Sequence, residues 1–287
     1  MNRTLGYFYV LLAGVGFGFL GIFGRIAFRS GLSVGELLSA RFLTATVLMW
    51  IGIAIFKPQL IRASFRQILI SCGLGAAGYA VFSSLYFKAV EGVSVPLAAL
   101  LLYTFPIFVN LVGHFFLKER MNQRQTISLL LACSGLGILL WGPVIVHSKV
   151  AVLYGLGSAL TYAIYVLLSG KLQRNIEPLT SSLYVITSAT IALFLFHQPS
   201  LHTLTHLTTI QITCVVGIAT ISTIGPMTFF LAGLQRLPSS RASIIAMIEP
   251  VVAALAAGVI LGENLSPFQM IGAALVIAAL VLSALEK

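Results

Sequence analysis

The 287-residue chain is predicted to be an all-α integral membrane protein of about ten transmembrane helices arranged as two inverted five-helix repeats. Three observations predict this. Hydrophobic residues make up 59% of the chain and charged residues only 8%, with a mean hydropathy of +1.03, whereas soluble domains carry about 25% charged residues. The cations are dense in every second loop and sparse in the others, and one half of the chain repeats in the other at a constant offset.

A sliding window of about 19 residues places five spans near residues 6 to 28, 34 to 56, 66 to 88, 94 to 116 and 124 to 142. Five more follow near 150 to 171, 179 to 196, 209 to 235, 239 to 261 and 266 to 284. A helix rises 1.5 Å per residue, so about 20 residues cross the hydrocarbon core. The first span follows Arg3. It is longer than the apolar segment of a signal peptide and no cleavage site follows it, so it is expected to be retained. Cys72, Cys133 and Cys214 all fall inside apolar runs, where a disulfide framework has no place.

Orientation follows from the loops. With the amino terminus taken as cytoplasmic, that side receives Arg3, Lys57, Arg62, Arg66, Lys118, Arg120, Arg124, Lys171, Arg174, Arg236, Arg241 and Lys287, twelve in all, against Arg29, Lys88 and Lys149 opposite. Both termini are therefore expected in the cytoplasm of a multi-pass inner (plasma) membrane protein, which requires an even number of spans. The net charge of +10 is thus a matter of topology and the lipid surface. A nucleic-acid partner would instead need cations clustered on a soluble face.

The repeat is visible when Leu97 to Gln125 is laid beside Arg241 to Gln269. Pro106 and Pro250, Glu119 and Glu263, and Gln125 and Gln269 are each 144 positions apart, close to half the chain. The halves 1–144 and 145–287 would each hold five spans. An odd number of spans makes the second half enter from the opposite side, and inverted repeats with a solute site at their interface mark transporters. On this pattern Pro106, Pro250, Glu119 and Glu263 are structural markers of the repeat.

Several segments resemble the EamA-type branch of the drug/metabolite transporter superfamily, over nearly the whole chain. Gly14-Val15-Gly16-Phe17-Gly18-Phe19-Leu20-Gly21 is similar to the family's glycine-rich opening helix, and Ser39-Ala40-Arg41-Phe42 to the arginine-phenylalanine pair of its second helix. Tyr103-Thr104-Phe105-Pro106 through Leu117-Lys118-Glu119-Arg120, and Met247-Ile248-Glu249-Pro250 through Leu261-Gly262-Glu263, resemble its paired proline-then-glutamate endings. The resemblance implies a central cavity lined by helices 1, 3, 4, 6, 8 and 9, alternating access, and a small-molecule substrate. Export of amino acids or related amine-bearing metabolites is the leading expectation. Uptake or exchange of a cofactor-like or nucleotide-linked solute is the alternative.

The residues themselves point to a similar site. A charge at mid-bilayer costs at least about 2.5–3.5 kcal/mol, and Glu249 lies about ten residues into the ninth span, ahead of Pro250. Two roles stay open: a substrate-amine contact or proton-coupling carboxylate, and a protonated or backbone-bonded carboxyl at a kink. Its equivalent in the first half is Phe105, so a coupling role would belong to one repeat only. Arg41 is expected to be structural, snorkelling to the interface, pairing with Glu36 or holding helix-end carbonyls. Phe17, Tyr79, Phe82, Tyr103, Tyr162, Tyr165 and Phe230 are candidates for a substrate surface. Tyr79 with Phe82, and Tyr162 with Tyr165, are spaced to share a helix face, and their rings suit a planar or cationic solute. Ordinary packing is the competing explanation for all of them.

Other chemistry is disfavoured. The seven acidic residues are all Glu, so paired-aspartate catalysis is excluded. No H-E-x-x-H or P-loop pattern occurs, which argues against an intramembrane metalloenzyme and against ATP as the energy source. A channel would need a continuous polar path that these spans do not offer. His197, His202 and His206 have no carboxylate or cysteine beside them, so no metal site is expected, and no cofactor is called for.

Overall fold

The computed structural model describes residues 3–117, 122–142, 145–199, 204, 206–262 and 264–285. Glu119, Glu263 and His202 lie outside these residues, as do Lys118, Arg120 and Lys287. Ten helices follow one another: α1 (Arg3–Gly18 and Leu20–Arg29), α2 (Val34–Phe56), α3 (Phe65–Gly92), α4 (Val95–Leu102 and Phe105–Leu117), α5 (Gln123–Leu139), α6 (Lys149–Leu172), α7 (Pro178–His197), α8 (Thr209–Leu234), α9 (Ser239–Ala246 and Ile248–Leu261) and α10 (Pro267–Ala284). Nine of them are long and apolar enough to cross a membrane. The tenth, α5, has 17 residues, which still gives about 25 Å of helix. Large apolar side chains such as Ile51, Ile55, Leu69, Leu153, Leu195 and Val259 point outward, as a lipid-facing surface requires.

The helix starts follow from local chemistry. Ser64 and Gln67 form a capping box at α3, and Thr208 and Gln211, 144 positions later, form one at α8. Asn122 with Gln125 caps α5, and Ser266 with Gln269 caps α10 at the same offset. In each box the N-cap side chain and the third helical side chain satisfy backbone N–H groups that the first turn leaves open. The repeated Gln125 and Gln269 are therefore start signals.

Helices pack in pairs exchanged by the repeat. α1 lies against α8 and α9, and α6, its counterpart, lies against α3 and α4; α2 pairs with α7 and α5 with α10. The pseudo-twofold passes between α2 and α7, where Thr46 Oγ1 and Thr190 Oγ1 are 2.7 Å apart and 144 residues apart in sequence. At the α5–α10 crossing, a Cβ added to Gly135 would come within 2.8 Å of the Gly272 carbonyl oxygen, so the two backbones meet there. The Tyr7 hydroxyl donates to the Ser283 carbonyl at 3.4 Å, which sets the start of α1 beside the end of α10.

The regular helices are interrupted at matching depths. π-helical turns occupy Leu74–Tyr79 in α3 and Thr220–Ile224 in α8. α4 breaks at Tyr103 and Thr104 and α9 at Met247, and Tyr103 and Met247 are equivalent positions. α1 breaks at Phe19, whereas α6 runs unbroken. The difference follows from sequence: α6 carries Tyr162 and Tyr165 where α1 has Gly18 and Gly21. At Gly18 the absence of a side chain lets α1 approach Val252 and the Glu249 carbonyl, where a Cβ would sit 2.8 Å and 3.0 Å away.

Candidate functional site

The interruptions in α3, α4, α8 and α9 fall at the middle of the bundle, and polar side chains gather there. Glu249 stands in the first turn of the segment Ile248–Leu261, where exposed backbone N–H groups favour a carboxylate. Pro250 follows and cannot donate to the Ala246 carbonyl, so the break at Met247 is local and stable. Tyr103, carried on the matching break in α4, stands close enough to Glu249 for its hydroxyl to interact with the carboxyl. Arg41 on α2, and Tyr79, Tyr86 and Tyr162 on α3 and α6, lie within range of its charge. Of the described glutamates, it is the one placed mid-span.

Glu249, Tyr103, Tyr162 and Phe17 are half-buried although they sit mid-helix. The partners of Glu249 come from α2, α3, α4 and α6, so the carboxyl faces the bundle interior.

Aromatic rings build one wall. Phe82 and Tyr162 have centroids 4.5 Å apart, Tyr79 and Phe82 4.7 Å, Phe105 and Tyr162 4.7 Å, and Tyr79 and Tyr165 5.6 Å. The pairs expected on shared faces of α3 and α6 thus interlock with each other, and Phe105 joins them from α4. Tyr165 and Phe105 are 1% and 2% exposed and act as the rear of that wall. Phe230 is placed elsewhere: it is buried in the packed core late in α8. Phe17 packs against the same core from α1.

Arg41 neither snorkels outward nor relies on Glu36. Its guanidinium is buried, with Nε donating to Thr223 Oγ1 at 2.7 Å and Nη2 to the Ser222 carbonyl at 3.1 Å. Pro226 explains the second bond: lacking an N–H, it cannot take the Ser222 carbonyl four residues earlier. Arg41 also lies beside Tyr79, which ends the π turn of α3 and is the repeat equivalent of Thr223. One side chain thus stands between the two π turns and holds the one in α8. The Glu36 carboxylate accepts from the Ser33 N–H at 2.9 Å and hydroxyl at 2.7 Å, capping α2.

Thr46, Thr190, Ser222 and Thr223 were not singled out by sequence. Thr46 and Thr190 carried a signal in their 144-residue spacing, and Ser222 in its place four residues before Pro226. Pro106 opens the second segment of α4, and its carbonyl accepts from Asn110 Nδ2 at 2.6 Å. His197 Nε2 meets Ser84 Oγ at 3.1 Å, and no metal-binding group of His, Cys, Asp and Glu occurs among the described residues.

Ten apolar helices in two inverted repeats, broken around the one mid-span carboxyl of the described residues, define a membrane transporter that handles a small molecule. The chain belongs to the EamA-like transporter family, whose model matches residues 4–141 and again 149–285. It is similar to the uncharacterized transporter YcbK of Bacillus subtilis, with 26% identity covering 94% of this chain and 90% of that protein. It is also 26% identical to the threonine/homoserine exporter RhtA of Escherichia coli, over 79% of this chain and 75% of that one. A solved crystal structure superposes with a TM-score of 0.83 at 15% identity, covering 99% of this chain and 98% of the other, which is a likeness of fold.

Proposed function

We propose that the protein is a secondary active transporter that exports an amino acid or related amine-bearing metabolite across the inner membrane, with both termini in the cytoplasm. Glu249 carries the proposal. A carboxyl in the interior of the bundle, beside one tyrosine and close to a cluster of aromatic rings, suits a solute ammonium group. The same carboxyl can carry a proton when the solute is absent, which would couple export to proton entry. The likeness to a threonine/homoserine exporter supports the substrate class. Alternating access would rock one repeat against the other about the α2–α7 axis, with the interrupted helices α1, α3, α4, α8 and α9 changing shape around the site. The twelve-to-three excess of cations supports the orientation.

The test is uptake of labelled amino acids and amines into proteoliposomes, with and without an imposed pH gradient, for the native protein and Glu249→Gln. Gradient-stimulated transport of one such solute that collapses in Glu249→Gln is the expected result. Transport unchanged in both comparisons removes Glu249 from the mechanism, and transport confined to nucleotide-linked solutes refutes the substrate class.

A further inference from the structure

Far from Glu249, at the end of the bundle where α6 and α8 finish and α9 begins, lies a cavity of about 500 Å³. Arg3 from α1, Arg174 from beyond α6, and Arg236 from the α8–α9 corner all line it, together with Gly170 and Ser239. Among the described residues no carboxylate lines it, and three guanidinium groups share one space. Arg236 spends one N–H on the Ala232 carbonyl at 2.7 Å and lays its plane over the Tyr9 ring at 5.0 Å, which fixes the group and leaves its other donors for the cavity. Ser239 opens α9, so the unfilled N–H groups of that first turn lie at the same place. Its side chain is only 4% exposed. A Cβ built on Gly170 would come within 2.5 Å of that hydroxyl, so Ser239 points at the glycine that lines the cavity.

The geometry points to this cavity as a binding site for a phosphate group, supplied by an anionic phospholipid headgroup or by a phosphorylated or inorganic anion in solution. Arginine forks match phosphate oxygens in pairs, and the serine hydroxyl and helix start add neutral donors. The site takes Arg3 from the first repeat and its other groups from the second. An anion held there would tie α1 to the α8–α9 corner at the end expected to face the cytoplasm.

The test uses the purified full-length protein in a neutral detergent. Its thermal unfolding midpoint is followed while sodium phosphate is added at constant ionic strength, with chloride as control, and separately while short-chain phosphatidylglycerol or phosphatidylcholine is added. A saturable rise with phosphate but not chloride assigns the site to a soluble anion; a rise with phosphatidylglycerol but not phosphatidylcholine assigns it to a headgroup. In Arg3→Gln/Arg174→Gln, which alters two exposed side chains, the midpoint concentration should rise at least about tenfold. Ser239→Ala should raise it by a smaller factor. No rise beyond the controls, or the same rise in the double variant with its unliganded midpoint unchanged, overturns the assignment.

Discussion

Replacing Arg41 by Met keeps the length of the side chain and removes its charge and forked donors. Two hydrogen bonds from a charged donor, at 2.7 Å to Thr223 Oγ1 and 3.1 Å to the Ser222 carbonyl, disappear. Such bonds contribute about 1.5–3 kcal/mol each. Against this, taking a charge out of a span recovers about 2.5–3.5 kcal/mol of insertion cost. The Ser222 carbonyl then has neither Arg41 nor a Pro226 N–H to satisfy it, a further loss of about 1 kcal/mol. The balance is a net destabilisation of about 2 kcal/mol, or a fall of roughly 5 °C in the unfolding midpoint for a chain of this size. Detergent-solubilised protein heated stepwise and scored by size-exclusion chromatography reads this shift directly. Arg41→Lys should recover less than half of it, because one ammonium group cannot fork between a hydroxyl and a carbonyl as a guanidinium does. Thr223→Val in the Arg41→Met background should cost less than Thr223→Val alone, since the shared bond is already gone. An Arg41→Met protein as stable as the native one, or full recovery by lysine, would refute the bridging role.

Tyr103→Phe removes the hydroxyl beside the Glu249 carboxyl and should weaken solute binding by roughly tenfold, measured as a rise in the half-saturating concentration for uptake. Tyr162→Ala opens the ring wall between Phe82 and Phe105 and should cost about 3–5 kcal/mol, whereas Tyr162→Phe should stay within about 1 kcal/mol of the native protein; thermal unfolding separates the two. Gly272→Leu places a side chain against the Gly135 carbonyl oxygen, 2.7 Å from the Cβ alone, and should part α5 from α10 and abolish monodisperse expression. Thr46→Val and Thr190→Val together should lower stability by about 1 kcal/mol, read from the same melting assay.

Spans, repeat and helix starts were legible because each is written in residues close together in the chain or at one fixed offset. A run of about 20 apolar residues must be helical in lipid, since no water is there to satisfy the backbone. A capping box acts across three residues, so Ser64 with Gln67 and Asn122 with Gln125 report helix starts wherever the helix later packs. The site was partly legible, because an acidic residue inside a span is costly enough to stand out, and Glu249 did. Tyr79 and Tyr162 share one ring cluster with Phe82 and Phe105, and Tyr103 stands two residues before Phe105.

Tertiary structure alone decided which faces of the helices point inward. In a soluble helix, polar residues mark the outer face, but here lipid and core are both apolar, so a phenylalanine such as Phe230 reads the same in either place. Arg41 has the same character: sequence identified the cost of its charge, while its acceptors lie 181 and 182 residues away, one of them a carbonyl that Pro226 frees in a helix brought alongside. Local chemistry therefore determined where each helix begins and that it crosses the membrane. Packing between distant helices decided where Arg41 and the tyrosines converge, because in a uniformly apolar segment no periodicity encodes a neighbour.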